Sequence, residues 1–227
     1  MRFQDAVKDA RAVVYAGIQA DPLVARAAGL LADATAAQRV LARAVMNGES
    51  TDPDAWRIMF PTLFSTTADT AVMSRSEAIL DASLEIAERG EQVRSQFRGA
   101  LVEELTAILL ARRVAADGIR RERRVLFDGV RAEVHPYDVT VERAGAAEVY
   151  DCKWGARGIN ADVLHQLDDA RTHAAEEDET VRVALVVFDA QRSCDVRLAQ
   201  QTAPTAGTTL VALETLDRLA TRPGAVA

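Results

Sequence analysis

Asp151 and Lys153 stand two residues apart in Glu148 to Trp154, a segment with the apolar and aromatic content of a strand. Side chains on a strand alternate, so both point to one face. A third charged group, Asp138, closes His135-Pro136-Tyr137-Asp138 on the strand expected just before, and hairpin neighbours bring its carboxylate within a few ångströms of Asp151. Like charges so placed raise each other's pKa and cost stability. A divalent metal between them offsets that cost and makes a hard, all-oxygen site suited to magnesium. The lysine is conspicuous for its rarity. Of 27 basic residues only Lys8 and Lys153 are lysines, the rest being arginine. A GC-rich codon bias accounts for the scarcity but not for the place where Lys153 survives. The plain alternative is a solvent-facing Asp151–Lys153 ion pair, worth under about 1 kcal/mol.

Further acids lie upstream. Gly99-x-x-x-Glu103-Glu104 falls within an apolar helical stripe, and one of the two glutamates can face the sheet. Gly99 costs roughly 1 kcal/mol against Ala inside a helix, which implies that something approaches the backbone there. Arg112, Arg113, Arg120, Arg121, Arg123, Arg124 and Arg131 crowd a short stretch, a local positive patch in a chain of net charge −7. Arginine grips phosphate with two donors at once, so Arg120, Arg121, Arg123 and Arg124, with Arg157 near the acids, are candidates for contacting a nucleic-acid backbone. His135, His165 and His173 follow no metal-ligand spacing and read as structural. Trp154 reads as strand-end packing.

These groups need a frame. The 227 residues are 49% hydrophobic and 27% charged, a globular composition. The acidic balance excludes a broadly basic nucleic-acid coat protein but not an enzyme with a local basic patch. Cys152 and Cys194 cannot make a disulfide framework or a self-contained zinc site and read as buried thiols. Apolar runs such as Val183 to Phe188 are too short to cross a membrane. Asp5 stands where a signal peptide needs its apolar core, so a cytoplasmic location is expected.

Residues 1 to about 115 read as helical throughout. Helix starts are expected at Asp21-Pro22, at Asp52-Pro53 and at the capping-box pattern Ser74-Arg75-Ser76-Glu77, with ends at Asn47-Gly48 and near Gly90. Near residue 120 the period changes to that of strands. Strands are expected at Arg124–Phe127, Ala132–Glu142 and Glu148–Trp154, with turns at Asp128-Gly129 and Ala144-Gly145-Ala146. A helix over Ile159–Ala175 follows. Then come a strand buried on both faces at Val181–Phe188, a short helix at Val196–Gln201, a strand at Thr208–Leu213 and a helical turn from Glu214. Hairpins followed by strand–helix–strand crossovers predict an α/β chain, with a mixed sheet flanked by helices. The expected domains are a helical interaction or dimerisation region over 1–90 and a sheet domain over 91–227.

Gly99-x-x-x-Glu103 on a helix, Asp138 on a strand, Asp151-Cys152-Lys153 on the next strand and Gln166 on the following helix resemble the PD-(D/E)xK nuclease superfamily and its restriction-endonuclease-like fold. The likeness spans residues 92 to 220 and is nearest to Mrr-like restriction endonucleases and Holliday-junction-resolvase-like nucleases. Tyr137 precedes Asp138 where the pattern has Pro, and Ala170 stands where some members have Tyr. The resemblance implies a Mg2+- or Mn2+-dependent endonuclease in which Asp138, Asp151, the backbone carbonyl of Cys152 and Glu103 hold the metal. It further implies that Lys153 orients the attacking water and stabilises transition-state charge, and that Gln166 supports the site. The implied substrate is nucleic acid, DNA in preference, in restriction, defence or repair. The N-terminal helices are expected to pair two copies or to bind a protein partner. The rival expectation is an inert nuclease-like scaffold in which those helices do the work.

Overall fold

The computed structural model describes residues 1–6, 10–65, 67, 69–127, 130–131 and 135–221. They form two compact units, residues 10–108 and residues 1–9 with 109–227, so the boundary expected near residue 90 lies inside the first unit.

The helical unit is built from α1 (Ala10–Gln19), α2 (Pro22–Ala32), α3 (Ala36–Asn47), α4 (Pro53–Met59), α5 (Pro61–Phe64), α6 (Thr70–Ala87) and α7 (Glu91–Ala111), the last running past residue 108. The start signals at Asp21 and Asp52 act as expected, but the single helix expected from Asp21 to Asn47 is two, because Thr35 caps a new start at Ala36. Asp21 accepts from the Leu23 amide at 2.8 Å and Asp52 from the Asp54 amide at 3.0 Å. The long helix instead begins earlier, capped by Asp69, which accepts from the Ala71 amide at 2.8 Å. Ser76, read from sequence as part of a capping box, is buried in mid-helix. Its hydroxyl donates to the Val72 carbonyl at 2.8 Å and accepts from Gln38 Nε2 at 3.0 Å, so the serine joins α3 to α6.

In the sheet unit, β1 (Arg2–Asp5), β2 (Ile119–Phe127), β3 (Val130–Arg131), β4 (Tyr137–Arg143), β5 (Ala146–Lys153), β6 (Thr180–Val187) and β7 (Thr208–Ala212) make one mixed sheet. The order is β1-β2-β4-β5-β6-β7, with β3 folded back on β2. Pairing is antiparallel as far as β5 and parallel from β5 to β7. The crossovers carry α8 (Ala161–Glu176) and α9 (Gln191–Ala199). Leu164, Leu167, Ala170 and Ala174 of α8 join a buried cluster with Val125, Phe127, Val149, Val183 and Leu185. A closing 3-10 helix, Leu213–Ala220, buries Leu213, Leu216 and Leu219, the three-residue spacing of that helix type.

The structure corrects several boundaries. Residues 2–5 are an edge strand rather than helix. Four residues carry too little pattern to reveal this, and what fixes them is the ladder to β2 and the packing of Phe3 on the core. The arginine-rich run before Val125 belongs to β2, which starts at Ile119. The second hairpin strand starts at Tyr137, after Pro136, because proline has no amide to give the ladder. The turn expected at Asp128-Gly129, and residues 132–134, lie outside the described residues. The helix expected at Val196–Gln201 begins instead at Gln191. Among the described residues no helix is long and apolar enough to cross a membrane.

Candidate active site

At the end of β5 the alternation of the strand brings Asp151 and Lys153 to one cavity of about 530 Å³, which Asp138 and Gln166 also line. Asp151 is buried, and Lys153 Nζ makes an ion pair with its Oδ1. Burial of Lys153 opposes its charge, but the Asp151 and Asp138 carboxylates outweigh this and hold its pKa above the ordinary lysine value. The side chain keeps 27% of its surface exposed.

Asp138 is placed by its backbone neighbours. The β4–β5 register pairs Val139 with Tyr150, and one step beyond that pair the Cys152 amide donates to Asp138 Oδ2 at 2.5 Å. The Lys153 carbonyl accepts from the Phe188 amide at 2.9 Å and so faces β6. Alternation along the strand then turns the Cys152 carbonyl to the β4 side, where Asp138 lies. The Cys152 side chain is buried, as expected of a packing thiol.

Gln166 does not enter the cavity as a bare amide. Its Nε2 donates to the His135 carbonyl at 3.1 Å and its Oε1 accepts from the His135 amide at 3.3 Å. The Tyr137 hydroxyl donates to the Gln166 carbonyl at 3.0 Å. Gln166 therefore clamps the chain just before Asp138 onto α8.

Sequence reasoning passed over other residues of the cavity. Asp162, His165 and Asp169 line it from α8, on the face that carries Gln166; their spacing along one helix face was the available signal. His135 lines it as well, so two of the three histidines belong to the cavity. His173 instead stacks on Phe127, ring centroids 5.8 Å apart. Gly158 lies in a 3-10 turn, Ala156–Gly158, against the stem of Lys153. Asp189, buried just beyond β6, ties that turn down by accepting from the Ala156 amide at 2.9 Å. Trp154 stacks on buried Phe188 at 5.0 Å, the packing role expected.

The arginines divide. Arg120 is exposed on β2, and Arg157 is exposed in the turn after Lys153. Arg121 and Arg124 are partly buried. Arg123 pairs with Glu142 at 2.7 Å and with Asp5, so its guanidinium is committed within the sheet. Arg113 is buried against Glu148 and Tyr150 on the other face of β5 and holds the Leu219 carbonyl at 2.7 Å. In the helical unit Glu103, not Glu104, is the buried glutamate. It accepts from the Tyr15 hydroxyl at 2.5 Å and from Gln19 Nε2 at 2.7 Å. The close approach that Gly99 implied is the same Tyr15, whose hydroxyl would stand 2.9 Å from a Cβ at that position.

Asp138, Asp151, Asp162 and Asp169 set four carboxylates around one cavity with a single lysine. The donors are hard oxygens, which suit a magnesium-like ion. Comparison with profiles of known protein families, with curated proteins and with solved structures finds no match to this chain.

Proposed function

We propose that the chain is a divalent-metal-dependent nuclease of the PD-(D/E)xK kind, with a restriction-endonuclease-like sheet unit and DNA as the favoured substrate. One observation carries the reading: Asp138, Asp151 and Lys153 share one acid-rich cavity at the end of β5. The hairpin leading into a parallel crossover around these residues supports the same assignment.

Asp138, Asp151 and the Cys152 carbonyl would hold Mg2+ or Mn2+. The bound ion would lower the pKa of a coordinated water and polarise the scissile phosphate. Lys153, kept charged by its two acids, stabilises the charge that grows on the phosphoryl oxygens. A compact ammonium acts there as a point charge, which a planar guanidinium does not replace. Gln166 is a positioning residue that acts through the backbone ahead of Asp138. The reaction adds one water across one P–O bond.

The test is incubation with labelled duplex, single-stranded and branched substrates, with and without magnesium. Asp138→Asn keeps an oxygen to accept from the Cys152 amide, so it should fold; it should lose cleavage and any magnesium-induced rise in melting temperature. Cleavage that survives in Asp138→Asn and in Lys153→Ala overturns the proposal. So does a parent protein that neither cuts nor gains stability from magnesium, which leaves the inert scaffold standing.

A further inference from the structure

An open surface depression of about 390 Å³ lies between the turn after Lys153 and α9, lined by Arg157, Arg192 and Arg197 together with Ser193, Val196 and Gln200. Its walls come from two segments that Asp189 joins. The Asp189 carboxylate accepts from the Ala156 amide at 2.9 Å and from the Ala190 amide at 2.8 Å. The first bond holds the turn with Arg157, and the second holds the entry to α9 with Arg192. Arg197 is aimed by its Nε, which donates to the Ile159 carbonyl at 3.0 Å. Arg157 and Arg192 are exposed and make no ion pair with any described residue. The nearby acid of α9, Asp195, takes a hydrogen bond from Gln191 at 2.8 Å and does not line the cavity.

Three arginines line this shallow surface, which has no carboxylate among its described lining residues, in a chain of net charge −7. Such a concentration favours a ligand with several phosphate groups, because each planar fork presents paired donors to phosphate oxygens. The turn that supplies Arg157 also touches Lys153. Gly158, next to Arg157, lies against the Lys153 stem, where a Cβ would fall 2.8 Å from Lys153 Cγ. The turn that carries Arg157 therefore packs on the side chain of Lys153. The acid-lined cavity would repel a polyanion by itself, and the arginine cavity supplies the attraction that it lacks.

We propose that Arg157, Arg192 and Arg197 form a phosphate-binding subsite that seats the backbone of a nucleic-acid strand beside Lys153. The proposal rests on the nuclease reading, but its test reads binding alone. Fluorescence anisotropy of labelled duplex and single-stranded oligonucleotides is measured in EDTA, over a salt series, with the full chain. Arg157→Ala/Arg192→Ala should bind at least about tenfold more weakly, with a log Kd–log salt slope shallower by about two. Arg143→Ala/Arg182→Ala removes the same charge at the other end of β5 and β6 and should change little. Equal losses in both double variants, or none in either, overturn the subsite. A parent that binds no oligonucleotide overturns it too, and the cleavage assay then judges the nuclease reading by itself. Inorganic phosphate should compete no better than chloride of the same ionic strength. Selective competition would reassign the cavity to small anions and overturn the strand assignment.

Discussion

Gly158 and Lys153 are in direct contact: a Cβ at position 158 would lie 2.8 Å from Lys153 Cγ and 2.9 Å from both Cβ and Cδ. The contact runs along the stem of the side chain, near its root, so a methyl group cannot be absorbed by moving only the tip. Gly158→Ala should push the ammonium off Asp151 while leaving the core intact. The expected result is a roughly 100-fold fall in cleavage rate, the scale set by an ångström of misplacement, with a thermal melt close to the parent's.

Lys153→Arg should be nearly as inactive as Lys153→Ala. Charge is kept, but a larger planar guanidinium does not reproduce the single-point contact of the ammonium with Asp151 Oδ1. Steady-state cleavage by both variants, with circular dichroism to confirm folding, is the check. An active Arg variant would return Lys153 to the role of a surface ion pair.

Lys153 has a raised pKa, so its contribution to stability is fully present below the ordinary lysine value of about 10.4 and is lost only as pH rises through the higher folded value. Asp151→Asn removes the stronger of the two attractions and leaves the burial, so the titration should move down. With only Lys8 and Lys153 in the chain, a carbon-13 lysine NMR titration gives two signals and reads the shift directly.

The buried Arg113–Glu148–Tyr150 group should limit acid stability. Burial pushes the Glu148 carboxyl up, but Arg113 and the Tyr150 hydroxyl, at 2.5 Å, outweigh this and hold it below the usual range. Its contribution is present above the unfolded pKa of about 4.3 and is lost as pH falls through the lower folded value. Glu148→Gln strands the Arg113 charge and should cost about 3–5 kcal/mol. Urea unfolding at neutral pH measures the loss, and the variant's stability should fall less steeply with acid than the parent's.

Gly99→Ala should change sign with its neighbour. Alone it gains up to about 1 kcal/mol of helix propensity but displaces the Tyr15 hydroxyl from buried Glu103, for a net loss of about 1 kcal/mol. In a Tyr15→Phe background the obstructing oxygen is gone, and the next ring atom is 3.8 Å away. There the same change should stabilise, as a double-mutant cycle in denaturant would show.

What could be read from sequence was what repeats or spaces itself along the chain. Alternation placed Asp151 and Lys153 on one face, and the valine run at 181–188 announced a strand buried on both sides. Gly99 betrayed a close approach by its cost, without naming Tyr15 as the cause. The rest depends on partners distant in sequence. Arg2–Asp5 is a strand because β2 lies beside it. Arg123 resembled a free phosphate ligand until Glu142 and Asp5 came to meet it. Asp189 follows an apolar strand with no local signature, and its importance rests on an amide 33 residues away in the chain.

The two bonds between Gln166 and the His135 backbone have a mechanical consequence. They fasten the segment before β4 to α8, so two walls of the Lys153 cavity are one hydrogen-bonded piece. The cavity cannot widen there without breaking both bonds and leaving a buried amide unpaired. That side of the cavity is thus shaped before any ligand arrives.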